Sequence, residues 1–94
     1  MQISKRNGTT EPYVADKIKR AMGAAFSSVG THLADDEADR LVAGIERAMS
    51  EAAAQNGGAV AVEDVQDLVE RALMEANHYQ ELKSYILYRE DRAR

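Results

Sequence analysis

The sequence contains no cysteine and only two histidines, His32 and His78. Without cysteine the chain has no disulfide, no thiolate metal site and no cysteine nucleophile. Two histidines far apart in the sequence do not favour a transition-metal site built by the protein. No apolar run approaches the length of a membrane span, and Met1 is not followed by a signal-peptide core. We therefore expect a soluble, cytoplasmic protein with no membrane partner and no metal held by its own side chains.

The chain is also short, with 94 residues, four tyrosines, one phenylalanine and no tryptophan. A chain of this size builds one modest core, so residues 1–94 are expected to form a single domain. The helical character of Arg92, Ala93 and Arg94 is compatible with an N-terminal fragment of a longer protein.

The net charge of −4 is distributed unevenly along the sequence. Residues 1–20 carry a net charge of +3, residues 34–77 carry −8, and residues 78–94 carry +1. A DNA-binding domain usually spreads positive charge over a whole face. Here the positive charge lies at the two ends of the chain, which could converge in space. This pattern favours a compact anionic ligand over DNA.

The sequence Lys5-Arg6-Asn7-Gly8 predicts a tight hairpin, because Asn-Gly accepts positive φ angles easily. Helical spacing of apolar residues, interrupted at Gly30 and at Gly57-Gly58, predicts four helices. The order is ββααβαα, an α+β fold in which the hairpin packs as a lid on one end of the helices. The predicted strands are residues 2–5, 9–13 and 59–62, and the predicted helices begin near Asp16, Ala34, Glu63 and Tyr79.

Lys5 and Arg6 could clamp an anion, or they could be solvated charges on an edge strand. Neighbouring strand residues point to opposite faces, so only one of the two would reach a ligand from the sheet and the other would come around the turn. Lys17 could be a third phosphate ligand or an ordinary first-turn residue. Glu11 could accept hydrogen bonds from a ribose or a base amine, or it could pair with Lys5 or Arg6 across the hairpin.

The C-terminal tyrosines allow two interpretations as well. Tyr79, Tyr85 and Tyr88 could pack in the core, or they could form a wall for adenine beside Arg89. The acidic residues of the middle segment are interpreted as solvated helix faces. The sequence contains no P-loop, no paired catalytic carboxylates and no Ser/His/Asp arrangement, so catalysis is not expected.

Taken in order, these features resemble the ATP-cone domain over essentially the whole chain. Each motif is weak alone, but four in the right order are fairly specific. The matching stretches are ISKRNGTTEPY at residues 3–13, DKI at 16–18, VEDVQDLVE at 62–70, and ANHY at 76–79 with YILYR at 85–89.

The resemblance implies a four-helix bundle capped by a small three-stranded β-sheet. It also implies an allosteric, non-catalytic domain that binds ATP or dATP with Mg²⁺ and regulates ribonucleotide reductase through nucleotide-dependent self-association. Its partners would be the nucleotide and the catalytic domain or subunit of the parent protein. The positions that match the family's nucleotide site are Ile3, Lys5, Arg6, Glu11, Lys17, Ile18, Gln66, Tyr88 and Arg89.

The chain departs from the family pattern at three expected helix N-caps, where Val14, Ala34 and Val62 replace Asp, Ser or Thr. A lost cap lowers the free energy of unfolding by about 1 kcal/mol. Some family members also have His at the position of Gln66. The alternative function is a nucleotide-independent helical interaction module, in which Leu41, Ile45 and Met49 or the last helix would mediate self-association.

Overall fold

The computed structural model describes residues 1–92 of the chain, and residues 1–91 with their side chains. It confirms the predicted element order ββααβαα. Ala93 and Arg94, for which the sequence indicates continued helix, lie outside the described residues. The elements are β1 (Gln2–Ser4), β2 (Thr10–Pro12), α1 (Ala15–Ser28), α2 (Asp35–Gln55), β3 (Ala59–Ala61), α3 (Val62–Glu75) and α4 (Tyr79–Arg92).

The hairpin turn occupies more of the chain than predicted. Gly8 has a φ of 84°, and its N–H donates to the Lys5 carbonyl at 3.1 Å. The Asn7 side-chain oxygen accepts hydrogen bonds from the backbone N–H and the hydroxyl of Thr9. Because this turn absorbs residues 5–9, the strand predicted at 2–5 is one residue too long at its end. The strand predicted at 9–13 is one residue too long at each end. Lys5 and Arg6 therefore lie outside the strand.

The three strands form one mixed sheet in the order β2-β1-β3. Ile3 of β1 lies opposite Glu11 of antiparallel β2 and opposite Val60 of parallel β3. A parallel pair needs a long crossover connection, and here α1 and α2 provide it. The first strand is thus the central one, so Lys5 and Arg6 do not belong to an edge strand as one interpretation had assumed.

The buried stripes of the helices meet beneath this sheet. Met22 of α1, Met49 of α2 and Leu73 of α3 are completely buried. Ile45 and Met49 face this core with 2% and 0% exposure, so they cannot form the self-association surface that the alternative function assigned to them. Leu41, which lies on the same helix, is half-buried.

Helix ends follow local backbone chemistry. Two residues after the end of α1, Gly30 has a φ of 78°, which lets the Thr31 N–H donate to the Phe26 carbonyl at 2.9 Å. Among the described residues no side chain caps the N-termini of α1, α2 or α3, which follow Val14, Ala34 and Ala61. The predicted cap position of α3 was one residue late, because Val62 already belongs to the helix.

A polar cluster joins the loop after α1 and the first turn of α2 to the start of α4. The Thr31 hydroxyl donates to the carboxylate of Glu81 at 2.8 Å, and Glu81 is only 7% exposed. His78 Nε2 lies 2.7 Å from a Glu37 carboxylate oxygen, and its ring meets the Phe26 ring edge to face. None of the helices in residues 1–92 combines the length and the apolar character that a membrane crossing requires.

Candidate functional site

Two adjoining cavities lie between the hairpin and helices α1, α3 and α4. The larger has a volume of about 460 Å³ and the smaller about 140 Å³. Ala21, Val62, Gln66 and Tyr85 line both cavities, so the two lie side by side with these residues between them. The α3 helix contributes to both cavities because it starts directly at the sheet.

Every residue that the resemblance assigns to a nucleotide site lines one of these cavities. The larger cavity is bordered by Lys5, Arg6, Gln66, Tyr88 and Arg89. The smaller cavity is bordered by Ile3, Glu11, Lys17, Ile18 and again Gln66. The fold therefore brings side chains from both ends of the sequence to one place.

Lys5 and Arg6 line the same cavity, contrary to the expectation that a strand would point them to opposite faces. The strict alternation of side chains applies to extended strand backbone. Because β1 ends at Ser4, both residues belong to the turn and can face α4 together. Lys17 borders the smaller cavity instead, at the start of α1.

Glu11 links two of the cations. Its carboxylate oxygens lie 3.3 Å from Lys5 Nζ and 3.5 Å from Lys17 Nζ. The hydrogen bond from Lys5, followed by the charge of Lys17, lowers the pKa of Glu11 despite some opposing desolvation. Of the two cross-hairpin pairs considered from sequence, Glu11 therefore makes the one with Lys5 and not the one with Arg6.

Arg6 pairs across to α3. Its Nε donates to a carboxylate oxygen of Glu63 at 2.5 Å. The pKa of Glu63 is lowered, first by its own backbone N–H and then by the Arg6 hydrogen bond. Glu63 lies in the first turn of α3, where the helix dipole also favours a negative charge.

Arg89 of α4 is held by two further carboxylates of α3. Its Nη1 donates to Asp67 at 2.7 Å and to Glu70 at 2.6 Å. The interpretation of the middle acidic residues as solvated helix faces is therefore wrong for Glu63 and Glu70, which are partly buried in ion pairs, whereas Asp67 pairs with Arg89 and is still 63% exposed. No local pattern indicates these pairs, since their partners are 19 to 57 residues away.

The smaller cavity has apolar walls, with Ile3, Ile18 and Val65 at most 8% exposed. At its junction with the larger cavity, the Gln66 side-chain oxygen is buried and accepts no hydrogen bond from the described residues. A buried acceptor without a partner is unfavourable by about 1–3 kcal/mol. This oxygen is therefore well placed to accept a hydrogen bond from a bound molecule.

Of the three C-terminal tyrosines, two border the cavities and one does not. Tyr85 is 5% exposed and borders both cavities, and burial raises its pKa to about 12. Tyr88 is half-exposed and borders the larger cavity. Tyr79 is 61% exposed, donates a hydrogen bond to Asn77 and borders neither cavity, so it does not share a wall with Tyr85 and Tyr88.

Comparison with known proteins places this arrangement in a wider context. The family model described as "ATP cone domain" matches residues 1–94. Ribonucleoside-diphosphate reductase subunit alpha of Treponema pallidum (strain Nichols) is 44% identical over 97 residues, which cover 100% of this chain and 11% of that protein. The subunit of the same name from Chlamydia muridarum is 33% identical over 100 residues, covering 100% of this chain and 10% of that protein. The chain thus spans about a tenth of the length of the curated relatives it matches.

Proposed function

Because the chain belongs to the ATP-cone family, whose members are regulatory domains, we propose that it binds ATP or dATP in the two adjoining cavities and catalyses no reaction itself. One observation carries the proposal. Beneath the hairpin, a cavity bordered by three cationic side chains lies directly beside a cavity with mainly apolar walls. A nucleotide has the same division, with a charged triphosphate at one end and a flat base at the other.

The triphosphate lies in the larger cavity beside Lys5, Arg6 and Arg89. Lys17 is close to this group, because its ammonium and that of Lys5 contact the same Glu11 carboxylate. Charge-assisted hydrogen bonds contribute about 1.5–3 kcal/mol each. A few of them and a buried base supply the roughly −8 kcal/mol that micromolar affinity requires.

The base lies in the smaller cavity between Ile3 and Ile18, with Glu11 near its polar edge. The ribose joins base and phosphates, so it lies at the wall that the two cavities share. Gln66 is the amide in that wall, and its unpartnered oxygen suits a ribose hydroxyl as donor. Tyr85 and Tyr88 of α4 line the larger cavity as well.

Magnesium comes with the nucleotide in this proposal. Mg²⁺ retains several waters and is commonly bound through the phosphates of its nucleotide. Within residues 1–91 no group of three His, Cys, Asp or Glu side chains is arranged to hold a metal ion. The side chains therefore need only tolerate a hydrated ion at the open edge of the larger cavity.

Regulation follows from unequal binding to two states. A nucleotide shifts an equilibrium only by the difference in its affinity for the two states. ATP and dATP differ by one 2′-hydroxyl, so the sensing contact lies at the ribose. We propose that this difference controls self-association of a parent ribonucleotide reductase alpha subunit, the kind of protein to which the relatives belong.

Isothermal titration with ATP, dATP and GTP tests the proposal. We expect adenine nucleotides to bind with micromolar affinity, and we expect Lys5→Ala with Arg6→Ala to abolish binding while the circular dichroism stays helical. The matched control is Lys19→Ala with Arg20→Ala, a second Lys-Arg pair that lies outside both cavities. The absence of adenine-nucleotide binding at millimolar ligand would contradict the proposed function.

A further inference from the structure

The four cations around the cavities are already neutralised by the chain itself. Lys5 and Lys17 share Glu11, Arg6 pairs with Glu63, and Arg89 pairs with Asp67 and Glu70. A polyphosphate that enters the larger cavity therefore meets carboxylates that already contact the groups it needs. Which of these contacts gives way determines how tightly the ligand binds.

The Arg6–Glu63 pair is more easily exchanged than the pair of Arg89 with Glu70. Its side chains are 54% and 36% exposed, whereas those of Arg89 and Glu70 are 21% and 24% exposed. Arg6 belongs to a turn, and Glu63 lies in the first turn of α3. An exposed ion pair contributes little stability, so separating it requires little free energy.

The place occupied by the Glu63 carboxylate is also suited to a phosphate. The Arg6 guanidinium and the first turn of α3 both favour an anion there, and Val62 at the same helix start borders both cavities. A phosphate oxygen and a carboxylate oxygen are the same kind of acceptor for the Arg6 N–H groups.

We propose that Glu63 competes with the ligand's phosphate for Arg6 and thereby sets the affinity of the site for polyphosphates. This inference rests on the proposed function. When a nucleotide binds, Arg6 exchanges the Glu63 carboxylate for a phosphate oxygen, and Glu63 turns to solvent. Glu63 thus weakens binding, although it lies beside the site and carries no ligand itself.

The test is titration of ATP and of adenosine into the unaltered chain, Glu63→Gln and Glu51→Gln. Glu51 is an exposed residue of α2 outside both cavities, so its substitution makes the same change in net charge elsewhere. From the strength of exposed ion pairs, we expect Glu63→Gln to bind ATP about two- to fivefold more tightly. Adenosine affinity should stay unchanged, because adenosine has no phosphate to reach Arg6.

A second measurement observes the exchange directly. In the unaltered chain, the NMR signal of the Arg6 Nε–H should shift when ATP is added and should stay in place when adenosine is added. Thermal unfolding of Glu63→Gln checks that the variant is folded.

The outcomes separate the two proposals. If the unaltered chain binds no ATP, the proposed function fails and this inference fails with it. If ATP binds but Glu63→Gln binds it equally or more weakly, only this inference is overturned. An equal gain in Glu51→Gln would also overturn it, since the effect would then come from net charge and not from competition for Arg6.

Discussion

Arg89 of α4 and Glu70 of α3 are joined by a hydrogen bond of 2.6 Å from Nη1 to a carboxylate oxygen. This contact fixes the guanidinium against α3, and a second hydrogen bond to Asp67 completes the clamp. Because Arg89 also borders the larger cavity, the clamp holds a positive charge where the proposed triphosphate lies. We therefore expect Glu70 to act on the proposed ligand by positioning Arg89.

The first prediction is that Glu70→Gln weakens ATP binding about two- to tenfold, because Arg89 loses a charged partner in a partly buried position. Adenosine affinity should not change, since the base cavity does not include Arg89. Isothermal titration measures both ligands, with the exposed Glu90→Gln on α4 as the control. A gain in ATP affinity would show that Glu70 competes with phosphate as Glu63 is proposed to do.

The second prediction concerns the ribose. Gln66→Met keeps the size of the side chain but removes the oxygen that has no partner among the described residues. If this oxygen accepts from the 2′-hydroxyl, ATP should lose about 0.5–1.5 kcal/mol of binding free energy, or about two- to tenfold in Kd, while dATP should lose none.

The ratio of the two dissociation constants measures this effect. Titration with 3′-deoxyadenosine triphosphate provides the matched ligand control, because it lacks the neighbouring hydroxyl. An equal loss for ATP and dATP would place the Gln66 contact elsewhere on the nucleotide.

The third prediction is a pH effect on stability. The hydrogen bond from Thr31 holds the pKa of Glu81 below its ordinary value of 4.5, although burial opposes this. A carboxyl with a lowered folded-state pKa stabilises the fold above its ordinary pKa, and this contribution is lost as the pH falls through the folded-state value. Thr31→Val should therefore destabilise the chain at neutral pH and flatten the acid side of the stability profile.

Urea unfolding between pH 7 and pH 3 checks both parts of this prediction. Thr31→Ser is the control, because it keeps the hydroxyl that donates to Glu81. Parallel acid profiles for the valine variant and the unaltered chain would contradict the assigned cause.

The fourth prediction addresses the uncapped helices. Ala34 precedes α2 with an extended backbone, φ −67° and ψ 146°, which suits an N-cap residue. Ala34→Ser should raise the free energy of unfolding by about 1 kcal/mol, or the melting temperature by about 4–8 °C for a domain of this size. Nucleotide affinity should stay the same, since Ala34 borders neither cavity.

The matched control is Ala43→Ser, the same substitution at an exposed interior position of α2. There the serine should lower stability by a few tenths of a kcal/mol, because it is a poorer helix former than alanine. Equal effects at the two positions would argue against capping as the mechanism.

Much of the fold was predictable because its signals are local. Asn7-Gly8 specifies the turn, Gly30 follows the end of α1, and the spacing of apolar residues predicts where each helix begins to within about one residue. The nine candidate site residues came from the resemblance, and the structure gathers all of them around the two cavities. Their roles in binding remain predictions, and the experiments described above would test them.

The long-range polar contacts were not predictable, because they join residues distant in sequence. Arg6 and Glu63 are 57 residues apart, and Thr31 and Glu81 are 50 apart. Periodicity reports which face of a helix is buried, but it does not report which charged residue lies opposite another. The burial of Glu81 and the charge neutralisation around the cavities depend on how the helices pack.

The central position of β1 has a consequence for the growing chain. β2 and β3 each pair with β1, which is completed by residue 4, whereas its parallel partner begins only at Ala59. At the usual rate of about 5–20 residues per second, β1 emerges from the ribosome roughly 3–11 s before β3. Arg89 emerges later still, so the proposed ligand meets the complete set of cations only after most of the last helix has left the ribosome.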